Sequence, residues 1–170
     1  MKKIVLVLLL SLSTLLAIEI GKVPLEVIID GKDGGNVKGT SWSSSMIQEK
    51  VTILFYVDPD EKSLNEELSH ALKEKEFDRD SFKSIAIVNL KATWLPNMII
   101  EKLLKSKQKE FPYTTYVKDK NKILVKKWKL ADDNSDILLF NKKGELIYKK
   151  FGKVSKKEIK KVIQLIEENL

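Results

Sequence analysis

The stretch VTILFYVDPDEKSLNEELSHAL, residues 51–72, decides how the rest of the chain is read. Val51–Val57 is almost continuously apolar and rich in β-branched and aromatic side chains. A strand of that composition is buried on both faces, so it belongs in the interior of a sheet beside a parallel neighbour. Asp58-Pro59-Asp60-Glu61-Lys62 follows as a turn, and its acidic residues suit a helix start. Leu64, Leu68, Ala71 and Leu72 fall at i, i+4, i+7 and i+8, which predicts a helix over Glu61–Lys75 with one apolar stripe.

A second buried strand, Ser84–Leu90, completes a strand–helix–strand unit with a right-handed crossover. Asn89 stands at its C-terminal end, where open α/β sheets bind ligands. Trp94-Leu95-Pro96 opens another helix, with Ile99, Ile100, Leu103 and Leu104 expected inward, and Phe111-Pro112 stops it. Tyr113–Val117 is a third strand and Asp119–Asn121 a turn. Ile123, Leu124, Val125 and Trp128 belong to a short helix or to an extended piece. Ile137–Phe140 and Leu146–Phe151 flank Asn141-Lys142-Lys143-Gly144 as a hairpin. Ser155-Lys156-Lys157-Glu158 is a capping box, and Ile159, Val162, Ile163 and Ile166 form the apolar face of a closing helix.

Ahead of the organising stretch, Leu25–Asp30 is a strand candidate. Gly34-Gly35 reads as the turn of an N-terminal hairpin, because no Gly-Lys-Ser/Thr follows to make a phosphate cradle. The hydroxyl cluster after Trp42 reads as a helical-turn cap beside an aromatic that plugs one end of the core. The fold class is therefore α/β: one domain, a central mixed sheet with helices on both faces and an N-terminal hairpin.

The chain has 170 residues, 43% hydrophobic and 32% charged, which fits one globular domain with its own core and excludes a disordered chain. Lys2 and Lys3, the apolar run Ile4–Leu10 and the small residues Ser11, Ser13 and Ala17 have the pattern of a secretory signal peptide over residues 1–17, leaving 18–170 as the domain. Ile4–Ile18 holds 15 uncharged residues, short of the roughly 20 a spanning helix needs, so cleavage after Ala17 is expected and no stable membrane anchor.

There is no cysteine. No disulfide can staple the fold, and no lipidated cysteine can follow the leader. The expected location is the bacterial periplasm, in soluble form. The net charge is +7, but Arg79 is the only arginine among 31 basic residues. Phosphate and base-edge readers lean on the planar arginine fork, so nucleic acid is not an expected partner.

Two stretches carry a family resemblance: FPYTTYVKDKNKILVKKWKL, residues 111–130, and SDILLFNKKGELIYKKFGKVSKKE, residues 135–158. The second resembles the strand, D-x-x-G turn, strand and helix start of the thioredoxin-like superfamily in its peroxiredoxin-type variant. More narrowly, Trp42, Lys50-Val51, Phe77 with Arg79, Ile87-Val88-Asn89, Trp94, Lys109–Pro112, Asp119, Lys127–Leu130 and Gly144 are similar in order and spacing to the YtfJ family of exported bacterial proteins. The resemblance implies a periplasmic thioredoxin-like domain without a CxxC pair. Ser135 stands where thioredoxin relatives keep a cis-proline, so the residue that shapes their substrate groove is replaced as well.

Without a thiolate, neither disulfide exchange nor thiol peroxidase chemistry is open to this chain. The expected function is a redox-inactive binding or adaptor module for a periplasmic protein or peptide. Its candidate surface is the edge where Asp58, Pro59, Asp60, Asn89, Trp94 and Ser135 would converge, with the N-terminus of the Glu61–Lys75 helix pointing there. The alternative is a cysteine-free enzyme using the Asp58/Asp60 pair as acid and base. No metal or cofactor is expected: His70 is the only histidine and reads as a surface residue. Asp132, Asp133, Asn134 and Asp136 lack the spacing of a calcium loop.

Overall fold

A computed structural model describes residues 17–170; the expected leader, up to residue 16, lies outside them. The sheet is built on β4 (Val51–Val57), which pairs in parallel with β5 (Phe82–Asn89) on one side. On its other side it pairs antiparallel with β7 (Ser135–Phe140). Both edges of β4 are hydrogen-bonded and six of its seven residues are buried, as its uninterrupted apolar run requires. The sheet grows outward through β6 (Thr114–Asp119), parallel to β5, and β8 (Leu146–Phe151), antiparallel to β7.

The outermost strand beyond β6 is β2 (Gly34–Asn36), so the order is β2-β6-β5-β4-β7-β8. This corrects the expectation of a turn at Gly34-Gly35. The glycines form an edge strand because the backbones meet so closely there: a Cβ on Gly34 would lie 1.8 Å from the Lys118 carbonyl oxygen. The N-terminal hairpin exists as β1 (Ile28–Ile29) against β3 (Trp42–Ser43), and β2 is looped out between its strands. Trp42 is fully buried, and the Ser43 hydroxyl caps the following turn by accepting from Ser45 N–H.

The period-2 alternation of the strands sends their side chains into two different cores. One face carries Leu54, Tyr56, Ile85, Ile87, Leu138 and Phe140, and is covered by α3 (Ile123–Trp128) and the N-terminal segment. The piece around Trp128 is thus a helix. The other face carries Ile53, Phe55, Ile137 and Leu139, and is covered by α1 (Glu66–Glu74) and α4 (Lys156–Asn169). The capping box of α4 is present, with Ser155 and Glu158 each accepting from the other's backbone N–H. A third helix, α2 (Asn97–Glu110), lies on the same face but over β6, anchored by Ile100, Leu104 and Tyr116. Ile99, expected inward, is 45% exposed.

The helix after β4 begins at Glu66, five residues later than Glu61. Asp58 caps a separate 3-10 turn, Pro59–Glu61, by accepting from Asp60 N–H. The break between turn and helix has a cause in Asn65. Its Nδ2 donates to the Ser135 carbonyl and hydroxyl and to the Gly152 carbonyl, and its Oδ1 accepts from Val154 N–H. A side chain pinned on four sides cannot also cap the helix, and its φ of −117° with ψ of 27° interrupts the helical path. An anion site at a helix N-terminus beside Asp58 therefore has no helix to make it.

Candidate functional site

Of the six residues expected at one edge, Asp58 and Asn89 fall on one face of the sheet and Pro59 and Ser135 on the other. Asp58 and Asn89 follow the parity of Tyr56 and Ile87 and point toward the α3 side. Asn89 donates from Nδ2 to Asp132 Oδ1 at 3.0 Å, and Asp132 is in turn paired with Lys122. Burial raises the Asp132 carboxyl, but the Lys122 and Asn89 donors outweigh it and hold the group below its usual range. Asp58 is pushed up by burial against the opposing donation from Asp60 N–H, with further repulsion from the Asp60, Asp133 and Glu61 carboxylates. Its carboxylate is engaged with its own turn, and that of Asp60 lies 3.4 Å from the Thr93 hydroxyl.

The same face holds two carboxylates with no exposure, Asp119 and Asp136. Asp119 accepts from the N–H groups of Ile123 and Leu124 and so holds the start of α3, and it also accepts from the Tyr56 hydroxyl. Burial and then that carboxylate push the Tyr56 phenol far up. Asp136 accepts from Ala131 N–H through Oδ2, but Oδ1 has no hydrogen-bond partner among the described residues. Its carboxyl is pushed up to about 7 by burial, against the Ala131 and Gly152 N–H groups. This network is closed by the 129–134 loop and acts as structure, tying the loop and α3 to the strand ends.

Pro59 and Ser135 belong to the opposite face. They line one end of a cleft of about 710 Å³ between α1 and α2, floored by β5 and β4. Val57, Ala86 and Val88 supply the floor; Leu72 and Leu104 stand on the two walls. β5 is an interior strand, yet Ser84, Ala86 and Val88 are only half-buried, with α1 and α2 packing against Ala86 and Val88 from the sides. α1 sits over β4 and α2 over β6, and the gap between them exposes the floor.

The walls are tied to each other by polar contacts. Lys107 of α2 donates to Glu66 of α1 at 2.6 Å and to Glu110 at 2.9 Å. Desolvation opposes its charge, but those two carboxylates prevail and raise it. His70 packs on Phe111 at 5.5 Å, with Nε2 3.6 Å from Glu110. Ligand atoms of Glu66, His70 and Glu110 come within 4.8 Å of one another, a spacing that could hold a cation. The Lys107 ammonium already serves these carboxylates, so the cluster is a bridge between helices.

Trp94 stands 85% exposed in the segment before α2, next to Thr93, whose hydroxyl reaches Asp60. Thus the structure joins Asp58 with Asp60, sets Asn89 on the same face as Asp58, and separately places Pro59 and Ser135 along one cleft. The cleft itself was missed by the sequence reading, although one signal for it was present. The residues of β5 are apolar on both faces, and α2 lacks enough inward residues to cover one of them.

Residues 25–169 match the model of a family described as bacterial protein of unknown function (YtfJ_HI0045). The chain belongs to this YtfJ family. A relative named "Uncharacterized protein YtfJ" from Escherichia coli is 26% identical over 149 residues, 85% of this chain and 79% of that one. An uncharacterised protein of Haemophilus influenzae is 24% identical over 144 residues, 83% of this chain and 77% of its own length.

Among solved structures, the thioredoxin domain of a thiol-disulfide oxidoreductase from Bacteroides vulgatus is similar with a TM-score of 0.63 at 15% identity, covering 88% of this chain and 99% of that domain. A peroxiredoxin-like protein from Aquifex aeolicus gives a TM-score of 0.62 at 10% identity, covering 91% and 89%. The fold is thioredoxin-like. In this YtfJ-family chain it comes without cysteine, and the described residues contain no cis peptide bond. No helix among the described residues is long and apolar enough to cross a membrane.

Proposed function

We propose that this YtfJ-family protein is an exported, redox-inactive binding module that holds the apolar part of a ligand or periplasmic partner in the cleft between α1 and α2. One observation carries the reading. An interior strand of the sheet leaves Ala86 and Val88 only half-covered on one face, in a cleft of about 710 Å³. That volume falls in the roughly 300–1,000 Å³ range of ligand pockets. Apolar surface left open in the middle of a sheet costs stability unless something covers it. The absence of cysteine removes the chemistry that a thioredoxin-like edge would otherwise supply, and leaves binding. The basic, apolar pattern of residues 1–17 supports export, with the chain acting in the periplasm.

The test is a neutral solvatochromic dye titrated into the purified chain. Saturable binding of one dye per chain is expected, together with its loss in Ala86→Trp, whose indole fills the floor. A wild-type chain that leaves the dye in its aqueous state would end this reading.

A further inference from the structure

We infer that the ligand of this cleft is a long-chain amphiphile with a single anionic head, its tail laid along β5 and its head at Arg79. The inference rests on the binding role proposed above and names the ligand class. The floor residues Phe82, Ser84, Ala86 and Val88 share one face of β5. From Phe82 to Val88 the strand covers about 20 Å at about 3.3 Å per residue, a distance matched by an extended long-chain carboxylate. The walls are joined through Lys107–Glu66 and His70–Phe111, so the gap is set by contacts between side chains already present. A docked helix, roughly 10 Å across, would have to break those contacts, whereas one acyl chain would not.

The charge of the rim selects the head. Lys62, Lys73 and Arg79 line the cleft, while of the two acidic residues along it Glu66 is taken by Lys107, leaving Glu76. Arg79 is the most suited to an anion. Its guanidinium carbon sits over the Tyr113 ring, 3.1 Å from the centroid, which holds the side chain beside the cleft. Asp78 and Asp80 flank it in sequence, but Asp78 accepts from Asp80 N–H and Asp80 lies fully exposed, 4.0 Å from Lys50. No carboxylate among the described residues forms an ion pair with Arg79. A planar fork without a partner, set at the end of an apolar channel, matches a carboxylate or phosphate monoanion bidentately.

The experiment is competition of straight-chain alkanoates, below micelle formation, against the dye bound to the full chain. Octanoate, decanoate, dodecanoate and hexadecanoate should displace it with affinity rising about fourfold per methylene while the tail remains on the floor. The neutral alcohol of the same length should bind about 10- to 100-fold more weakly than dodecanoate, and Arg79→Gln should remove that difference. Equal affinity of dodecanoate and dodecanol for the wild type would overturn the head assignment without needing any variant to fold. A dye that binds saturably but resists every alkanoate would overturn the ligand class and leave the cleft standing. Failure of the dye itself would overturn the cleft reading first.

Discussion

At the scale of single residues, Asp136 carries the most informative chemistry, and its shift is opposite in sign to those of Glu66 and Glu158. Glu158 is held down to about 2 by the Ser155 backbone N–H, with Lys150 and the Ser155 hydroxyl adding to it, and Glu66 is lowered by Lys107. Groups of that kind contribute stability above the unfolded pKa and lose it on acidification. Asp136 is fully buried, with one oxygen unpartnered, and titrates at about 7 when folded. Between the unfolded carboxylate value, near 4, and that value the folded state binds the extra proton, so stability falls as pH rises through this window. Above it the penalty is constant. Asp136→Asn cannot ionise, so its stability relative to wild type should improve by about 2–3 kcal/mol between pH 5 and pH 8. Urea midpoints at the two pH values measure this. A difference that stays flat across the window would show that the native fold accommodates the charged form.

The same residue shows what the sequence could and could not reveal. In sequence Asp136 groups with Asp132, Asp133 and Asn134 as one acidic stretch, which hides its place in the core. Extending the alternation of Leu138 and Phe140 back by two positions would have placed it on the core face of β7. Asn65 offered no such signal. Its four partners come from Ser135, Gly152 and Val154, far along the chain, and only the closed sheet brings them together.

At the scale of elements, the legible parts were those whose signal is local. The run of Val51–Val57 fixed β4 as interior, the Ser155/Glu158 box fixed the start of α4, and Gly144 fixed the β7–β8 turn. The helix after β4 was placed too early because Asp58, Pro59, Asp60 and Glu61 are all good helix-start residues. What overrides them is the Asn65 hub, a tertiary constraint on a local preference. Removing it tests that account. Asn65→Ala leaves Val154 N–H and the Ser135 and Gly152 carbonyls without this partner in buried surroundings, a loss of about 2–3 kcal/mol measured by chemical denaturation. Ser69→Ala, on the next turn of α1 with only a 3.4 Å bond to the Asn65 carbonyl, should change stability by less than about 1 kcal/mol. Equal effects at the two positions would mean that Asn65 does not organise the junction.

At the scale of the whole molecule, three packed clusters of unequal size share one sheet, and stability should follow them. The face under α3 and the face under α1 and α4 are each built on buried residues from β4 and β7 at the centre of the sheet. α2 rests on a small cluster of Ile100, Leu104 and Tyr116 near the sheet edge, with Met98 and Ile99 in solvent and the cleft along its inner side. Fewer apolar contacts mean a lower free energy for local opening, so the amides of α2 should exchange with deuterium well before those of α4. The bridge from Lys107 to Glu66 is partly exposed and holds the helix only modestly. A ligand in the cleft would bury the inner side of α2 and the floor of β5 together. Saturating dodecanoate should therefore slow exchange in α1, α2 and β5 while leaving α4 at its global rate. Protection of α2 equal to that of α4 in the free chain would mean that the cleft is sealed, and the sheet would then have no half-covered interior strand to explain.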